Sequence, residues 1–295
     1  MKKLVISLLI FLLAAPVIAK PVTLQKDRAI FVQSATTAEI EELFNKYNYT
    51  DVAQMELAVP RIYIRHLPSD WDKDPSTEEK NRLFIRMLLP LVLKVNEEIT
   101  AERNEIEKIA ADRQAKTDLS DKQKQRLNEL AQKYDVFTPL SDATRWPVLI
   151  KRLLTKVDVV PPSIMLATAS IYTEWGHSRL AKQANSLYLD EVWYTNNGIK
   201  PADDKEAEYR YKTYDSLEDS IAARALKFNT HINYEYFREM RRLQREVDQK
   251  PYGPQMATTM YHDSNLRNIA GLIDFTLSFY GLNNTDIAPH LYDLP

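Results

Sequence analysis

Residues 161–188 read PPSIMLATASIYTEWGHSRLAKQANSLY, and the fold turns on them. Pro161, Pro162 and Ser163 form a helix start: Ser163 is a candidate cap, and proline in the first turn costs no hydrogen bond. Ile164 to Tyr172 is almost entirely apolar or small, which predicts a helix buried on most sides. The chain holds 5 glycines, and Gly176 is expected to take the positive φ that stops this helix. Glu174, His177 and Ser178 crowd the same end. Two readings stay open on these residues alone. One is a core helix with a glycine stop; the other is a helix that carries a reactive group to a groove.

Upstream, Ser76-x-x-Glu79 is a capping box that opens a long helix over about 77–113, with Phe84, Met87, Leu88, Leu91, Val92, Val95 and Ile99 at helical spacing. Pro90 is expected to kink or split it. Its second half is heavily charged and reads as a solvent-facing arm. Ser120-x-x-Gln123 starts another helix to about Tyr134, and Trp146 to Val157 a further short one. Nearer the N-terminus, Thr36-x-x-Glu39 opens a helix striped by Ile40, Leu43, Phe44 and Tyr47, and Val59 to Ile64 is extended. Downstream, Val192-Trp193-Tyr194 and Tyr209 to Tyr214 flank Asn196-Asn197-Gly198 and predict a β-hairpin. Helices return at 216–230, 234–248 and 264–280. The expected class is mainly α, with a small β-hairpin lobe and an N-terminal helical extension.

The 295 residues are 44% hydrophobic and 27% charged, a globular balance. Met1-Lys2-Lys3, the apolar run Leu4–Ala15 and Val17-Ile18-Ala19 read as a signal peptide cut after Ala19. No later run is long enough to span a bilayer. Loss of Lys2 and Lys3 takes the formal charge from −2 to −4, which offers no basic field to nucleic acid. There is no cysteine to form a disulfide or carry lipid. The expected address is the bacterial periplasm.

No metal motif is present: the histidines are scattered, and Asp70, Asp72 and Asp74 fail as a calcium loop, with Pro75 sixth and Asn81 twelfth. Those three aspartates read as solvated loop acids. Ser178 has no nucleophile-elbow context. No cofactor is implied.

Five stretches carry a family resemblance: VPRIYIRHLPSDW, NRLFIRMLLPLVLKVNEEITAERNEI, VDVVPPSIMLATA, WGHSRLAKQANSLY and FNTHINYEYFREMR. In this order and spacing, Val59 to Tyr280 resembles the Bax-like bacterial glucosaminidase-domain proteins, within the peptidoglycan endo-β-N-acetylglucosaminidases. The resemblance implies a lysozyme-like α domain and hydrolysis of a β-1,4 glycan strand. A glutamate at the end of the buried helix would be the general acid, its proton held by an apolar pocket. A second carboxylate would answer the opposite face of the sugar. The divisions expected are 1–19 signal peptide, 20–75 N-terminal extension, 76–140 helical arm and 141–285 glucosaminidase-like domain.

The chain departs from that pattern. The family's Glu-Ser-x-Trp-Gly places its acid three residues before the tryptophan, and a gap-free match puts Tyr172 there. Glu174 is the nearest acid, about 200° around the helix. A family tyrosine matched from Tyr261 becomes Asn268. The family's Leu-Phe-Gly becomes Leu187-Tyr188-Leu189, followed by Asp190 and Glu191, either of which is a candidate second carboxylate. Trp175, Tyr188, Trp193 and Tyr194, with Tyr172, are candidates for a sugar-stacking groove or for core packing. Thr230-His231 reads as a structural turn. Three functions follow: a peptidoglycan-binding family member that has lost cleavage; an active endo-β-N-acetylglucosaminidase using Glu174; and an envelope adaptor that docks a protein through the charged helices 97–133 and the N-terminal extension.

Overall fold

The computed structural model describes residues 22–52, 58–73, 76–115, 118–139, 142–204, 206–247, 249–260, 269–287 and 289–295. The spine is helix α2, Glu78–Ala115. Its cap is Thr77 rather than Ser76: Thr77 Oγ1 accepts the Lys80 N–H at 3.2 Å. The helix continues through Pro90 without the expected split. A proline removes the hydrogen bond to the carbonyl four residues back, here that of Arg86. Tyr49 supplies the substitute, its hydroxyl donating to Arg86 O at 3.3 Å while Arg86 Nη1 donates to Tyr49 O at 3.1 Å.

The N-terminal segment corrects the expected helical extension. Strands β1 (Val22–Lys26) and β2 (Ala29–Ser34) pair antiparallel, and α1 (Thr37–Lys46) follows with the expected capping box. Further on come β3 (Ala58–Pro60) and β4 (Ile62–Ile64); β2 and β4 are parallel neighbours. Asp27 and Arg28 both have left-handed φ, 51° and 58°. That is the turn a two-residue hairpin requires, but without the Asn-Gly or Asp-Gly signal that betrays it in sequence. Asp70 is not merely solvated, since it accepts from Thr37 N at 2.7 Å and Thr37 Oγ1 at 2.9 Å at the start of α1. Asp74 and Pro75 lie outside the described residues.

The charged second half of α2 is clasped by α3 (Asp121–Lys133), which has its own Ser120–Gln123 capping box. Ile106, Leu127 and Leu130 are buried between them, flanked by Lys133–Glu102 at 2.8 Å and Arg126–Glu105 at 2.6 Å. Next is α4 (Asp142–Lys156). Helix ends leave carbonyls unmet. Here Arg103 takes those of Leu154 and Val157, and Arg241 those of Thr155 and Lys156. Both arginines also face buried Asp158, as does Arg245 at 2.8 Å; together the three cations hold its carboxyl below the usual range against the pull of burial.

Helix α5 (Pro162–Thr173) runs through the middle, with every residue except Ile171 buried. Asn96 of α2 exchanges two hydrogen bonds with Val160 just before it, at 2.8 and 3.1 Å. Ser163 is not the cap; Pro161 occupies that place and makes no side-chain bond. Ser163 instead donates its N–H at 2.9 Å and its hydroxyl at 2.6 Å to Asp286, far along the chain.

The remaining elements are α6 (Arg179–Ala184), β5 (Glu191–Trp193), β6 (Tyr209–Tyr211), α7 (Leu217–Thr230), α8 (Glu235–Glu246), α9 (Gly253–Ala257), α10 (Ile269–Phe279) and β7 (His290–Tyr292), with a 3-10 turn over Leu282–Asp286. β7 lies parallel to β3, and β5 pairs antiparallel with β6 as the expected hairpin. One hydrophobic core runs through the chain from Ala29 to Leu294. The molecule is mainly α with a small β lobe. Among the described residues no helix is long and apolar enough to cross a membrane.

Candidate functional site

Helix α5 stops abruptly. Glu174, Trp175 and Gly176 all take left-handed backbone, with φ of 51°, 59° and 84°. Only glycine adopts that conformation freely. Local bonds hold the other two: Trp175 N donates to Ser170 O at 2.9 Å, Gly176 N to Thr173 Oγ1 at 2.9 Å, and Ser178 N to Thr173 O at 2.8 Å. The Trp71 indole N–H donates to Trp175 O at 3.1 Å. A Cβ on Gly176 would sit 2.9 Å from both Phe84 Cε2 and Trp71 Nε1, so the turn rests directly on α2 and the loop before it. Ser178 then caps α6, accepting Ala181 N–H at 3.2 Å.

At this tip Tyr172 is buried and Glu174 exposed. The Tyr172 ring faces a cation that the sequence reading missed. Arg224 of α7 is 1% exposed. Its guanidinium carbon lies 5.8 Å from the Tyr172 ring centre, 5.4 Å from Tyr188, 4.8 Å from Phe228 and 5.4 Å from Tyr234. These are cation–π distances. Tyr188 therefore packs in the core instead of lining a groove; its hydroxyl donates to Met165 O at 3.3 Å, and burial raises its proton affinity against the opposing pull of Arg224.

Trp175 is half-buried, its ring 4.5 Å from that of Tyr280. His177 is 4.0 Å from Asp72, which also holds Lys182 at 2.9 Å, so Asp72 ties the loop to α6. Burial, helped by the Lys80 charge, lowers the His177 imidazole. Of the two candidate second carboxylates, Asp190 is buried and committed: Lys227 Nζ sits at 2.9 Å and the Tyr214 hydroxyl donates to it at 2.9 Å. Glu191 is exposed on β5, opposite Tyr211. Leu189 takes a left-handed φ of 54°.

The hairpin presents aromatic surface. Trp193 is 52% and Tyr194 82% exposed. Trp193 contacts Tyr209 at 5.2 Å, and Tyr209 contacts Tyr211 edge-on at 5.6 Å. Trp193 borders a concave surface of about 800 Å³ shared with Thr195, Asn196, Asn197 and Lys212. Rings for stacking beside amide and hydroxyl groups suit the apolar faces and hydroxyls of a sugar. Asn268 and Tyr261 lie outside the described residues. The Thr230-His231 turn is structural: His231 Nδ1 accepts the Asn233 N–H at 3.2 Å and its carbonyl accepts from Arg238 at 2.8 Å. Among the described residues no cluster of acids and histidines comes together as a metal site.

Residues 149–271 match the model of the glucosaminidase family, described as mannosyl-glycoprotein endo-beta-N-acetylglucosaminidase. Protein bax of Escherichia coli (strain K12) is 29% identical over 227 residues, 75% of this chain and 76% of that protein. The catalytic domain of the autolysin Auto from Listeria monocytogenes superposes at a TM-score of 0.38 and 15% identity, over 72% of this chain and 91% of that one. The matched span takes in the end of α4, all of α5 with its tip, the hairpin, and α7 to α9. The chain is thus similar to the glucosaminidase family over residues 149–271 and to protein bax along most of its length.

Proposed function

We propose that this is an exported protein that holds peptidoglycan-type glycan strands between the hairpin and the tip of α5, and does not hydrolyse them from that tip. One observation carries the reading: Tyr172, which the family resemblance aligns with the acid, is buried with its ring turned to buried Arg224. A glycosidase acid must hold a proton near neutral pH and give it to the leaving oxygen, which a carboxyl in an apolar enclosure does. A phenol, with an ordinary pKa of about 10, holds its proton too tightly. Glu174 and Glu191 are exposed and lack such an enclosure. What remains serviceable is the hairpin surface of Trp193 and Tyr194.

The test uses the chain from Lys20 onward with purified sacculi and with soluble muropeptide strands. The expected result is co-sedimentation that Trp193→Ala weakens about tenfold, in line with loss of about 1.4 kcal/mol of stacking, and no new reducing ends. Reducing ends that vanish in Glu174→Gln but persist in Glu191→Gln would instead establish an active enzyme. Absence of binding to either glycan would sink the reading. Cell fractionation checks export: the mature chain is expected in the periplasm, starting near Lys20.

A further inference from the structure

We infer that Arg224 governs position 172: its guanidinium would keep any carboxylate placed there ionised, so the acid function is removed by two residues acting together rather than by Tyr172 alone. The inference rests on the proposed reading that 172 is the family's acid position. Its geometry does not. Arg224 projects from α7 into a space walled by Tyr172, Tyr188, Phe228 and Tyr234, and its side chain is almost wholly out of solvent. A buried cation is costly unless something answers its charge, and here the faces of four rings contribute to that answer.

A carboxylate in place of the Tyr172 ring would lie in the volume that the ring now fills, whose centre is 5.8 Å from the guanidinium carbon. At an effective dielectric near 20, that separation lowers a carboxyl's proton affinity by about 2 pH units. Burial at 172 works the other way, since desolvation favours the protonated form. The direct charge prevails because Arg224, almost wholly out of solvent, acts with little screening. The other charged groups beside Tyr188 and Tyr214 are Asp190 and Lys227, joined to each other at 2.9 Å. A general acid needs the opposite environment, so restoring glutamate at 172 would restore the residue without its chemistry.

The deciding measurement is titration of the introduced carboxyl by carbon NMR in the full chain, in Y172E, Y172E/R224M and Y172E/R224K. In Y172E it should ionise at or below the ordinary glutamate value of about 4.3. In Y172E/R224M it should rise by about 2 pH units, and in Y172E/R224K it should stay low. Equal values in Y172E and Y172E/R224M would overturn the inference, as would a rise of the same size in R224K, because packing rather than charge would then be responsible. If Y172E does not fold, Y172H reads the same field: its imidazole should titrate at higher pH once Arg224→Met is added, and no change would overturn the inference. These titrations need no glycan. Failure of the wild-type chain to bind sacculi would therefore strike the proposed function and leave this inference standing.

Discussion

The two ends of α5 are built on opposite terms. At its N-terminus the Asp286 carboxylate is buried and accepts three hydrogen bonds, from Ser163 N, Ser163 Oγ and Gly253 N at 2.9, 2.6 and 2.8 Å. Burial nevertheless pushes that carboxyl up to about 6. At its C-terminus, about 18 Å away along 12 residues, Tyr172 is buried and the neighbouring Glu174 lies in water. The property an acid catalyst needs, a carboxyl that keeps its proton toward neutral pH, is therefore present beside this helix, at its N-terminal end. There it pins α5 to α9 and the 3-10 turn. A perturbed carboxyl marks a function only when substrate can reach it.

The largest effect that would break this contrast is at the C-terminal turn. Gly176→Ala should destabilise the chain by about 3 kcal/mol in urea unfolding, combining a left-handed penalty with overpacking against Phe84 and Trp71. A change below about 1 kcal/mol would show the tip to be yielding rather than rigid. Next is Asp286. Between the unfolded value near 3.9 and the folded value of about 6, the folded state keeps a proton that the unfolded chain has lost. Its stabilising contribution is complete below pH 4 and is lost as pH rises through 6. Relative to Asp286→Asn, the wild type should lose about 2–3 kcal/mol between pH 4 and pH 7, measured by parallel urea melts. Parallel stability curves for the two chains would remove Asp286 from the comparison. The smallest effect has the opposite sign: Glu174→Gly should stabilise by about 0.5–1 kcal/mol, because Glu174 is exposed and held at φ 51°.

Local signals carried most of the α elements. The Thr36–Glu39 and Ser120–Gln123 boxes sit where their spacing puts them, and Gly176 turns as a glycine before a helix break should. Failures came wherever a residue was claimed from far away. Ser163 looks like a cap until Asp286, 123 residues on, takes both its donors. Pro90 looks like a break until Tyr49 satisfies the freed carbonyl. Tyr188 looks like groove because its ring is large and near the hairpin; only the fold shows Arg224 beneath it. The left-handed backbone at Leu189 was not legible, since a leucine gives no local signal for that conformation. At the site, a tyrosine at the position where the resemblance expects an acid could be read in the sequence, while the cation that its ring faces could not, since nothing local pairs residues 172 and 224.

Gly176 also sets a limit on dissection. The surfaces it touches, Phe84 and Trp71, both precede residue 149, where similarity to the family model begins. A fragment trimmed to the recognisable span would keep every residue that motif comparison values and discard the floor on which the turn stands. Minimal versions for screening or crystallisation should therefore start ahead of Trp71, and the long helix belongs to the smallest unit that can display this tip.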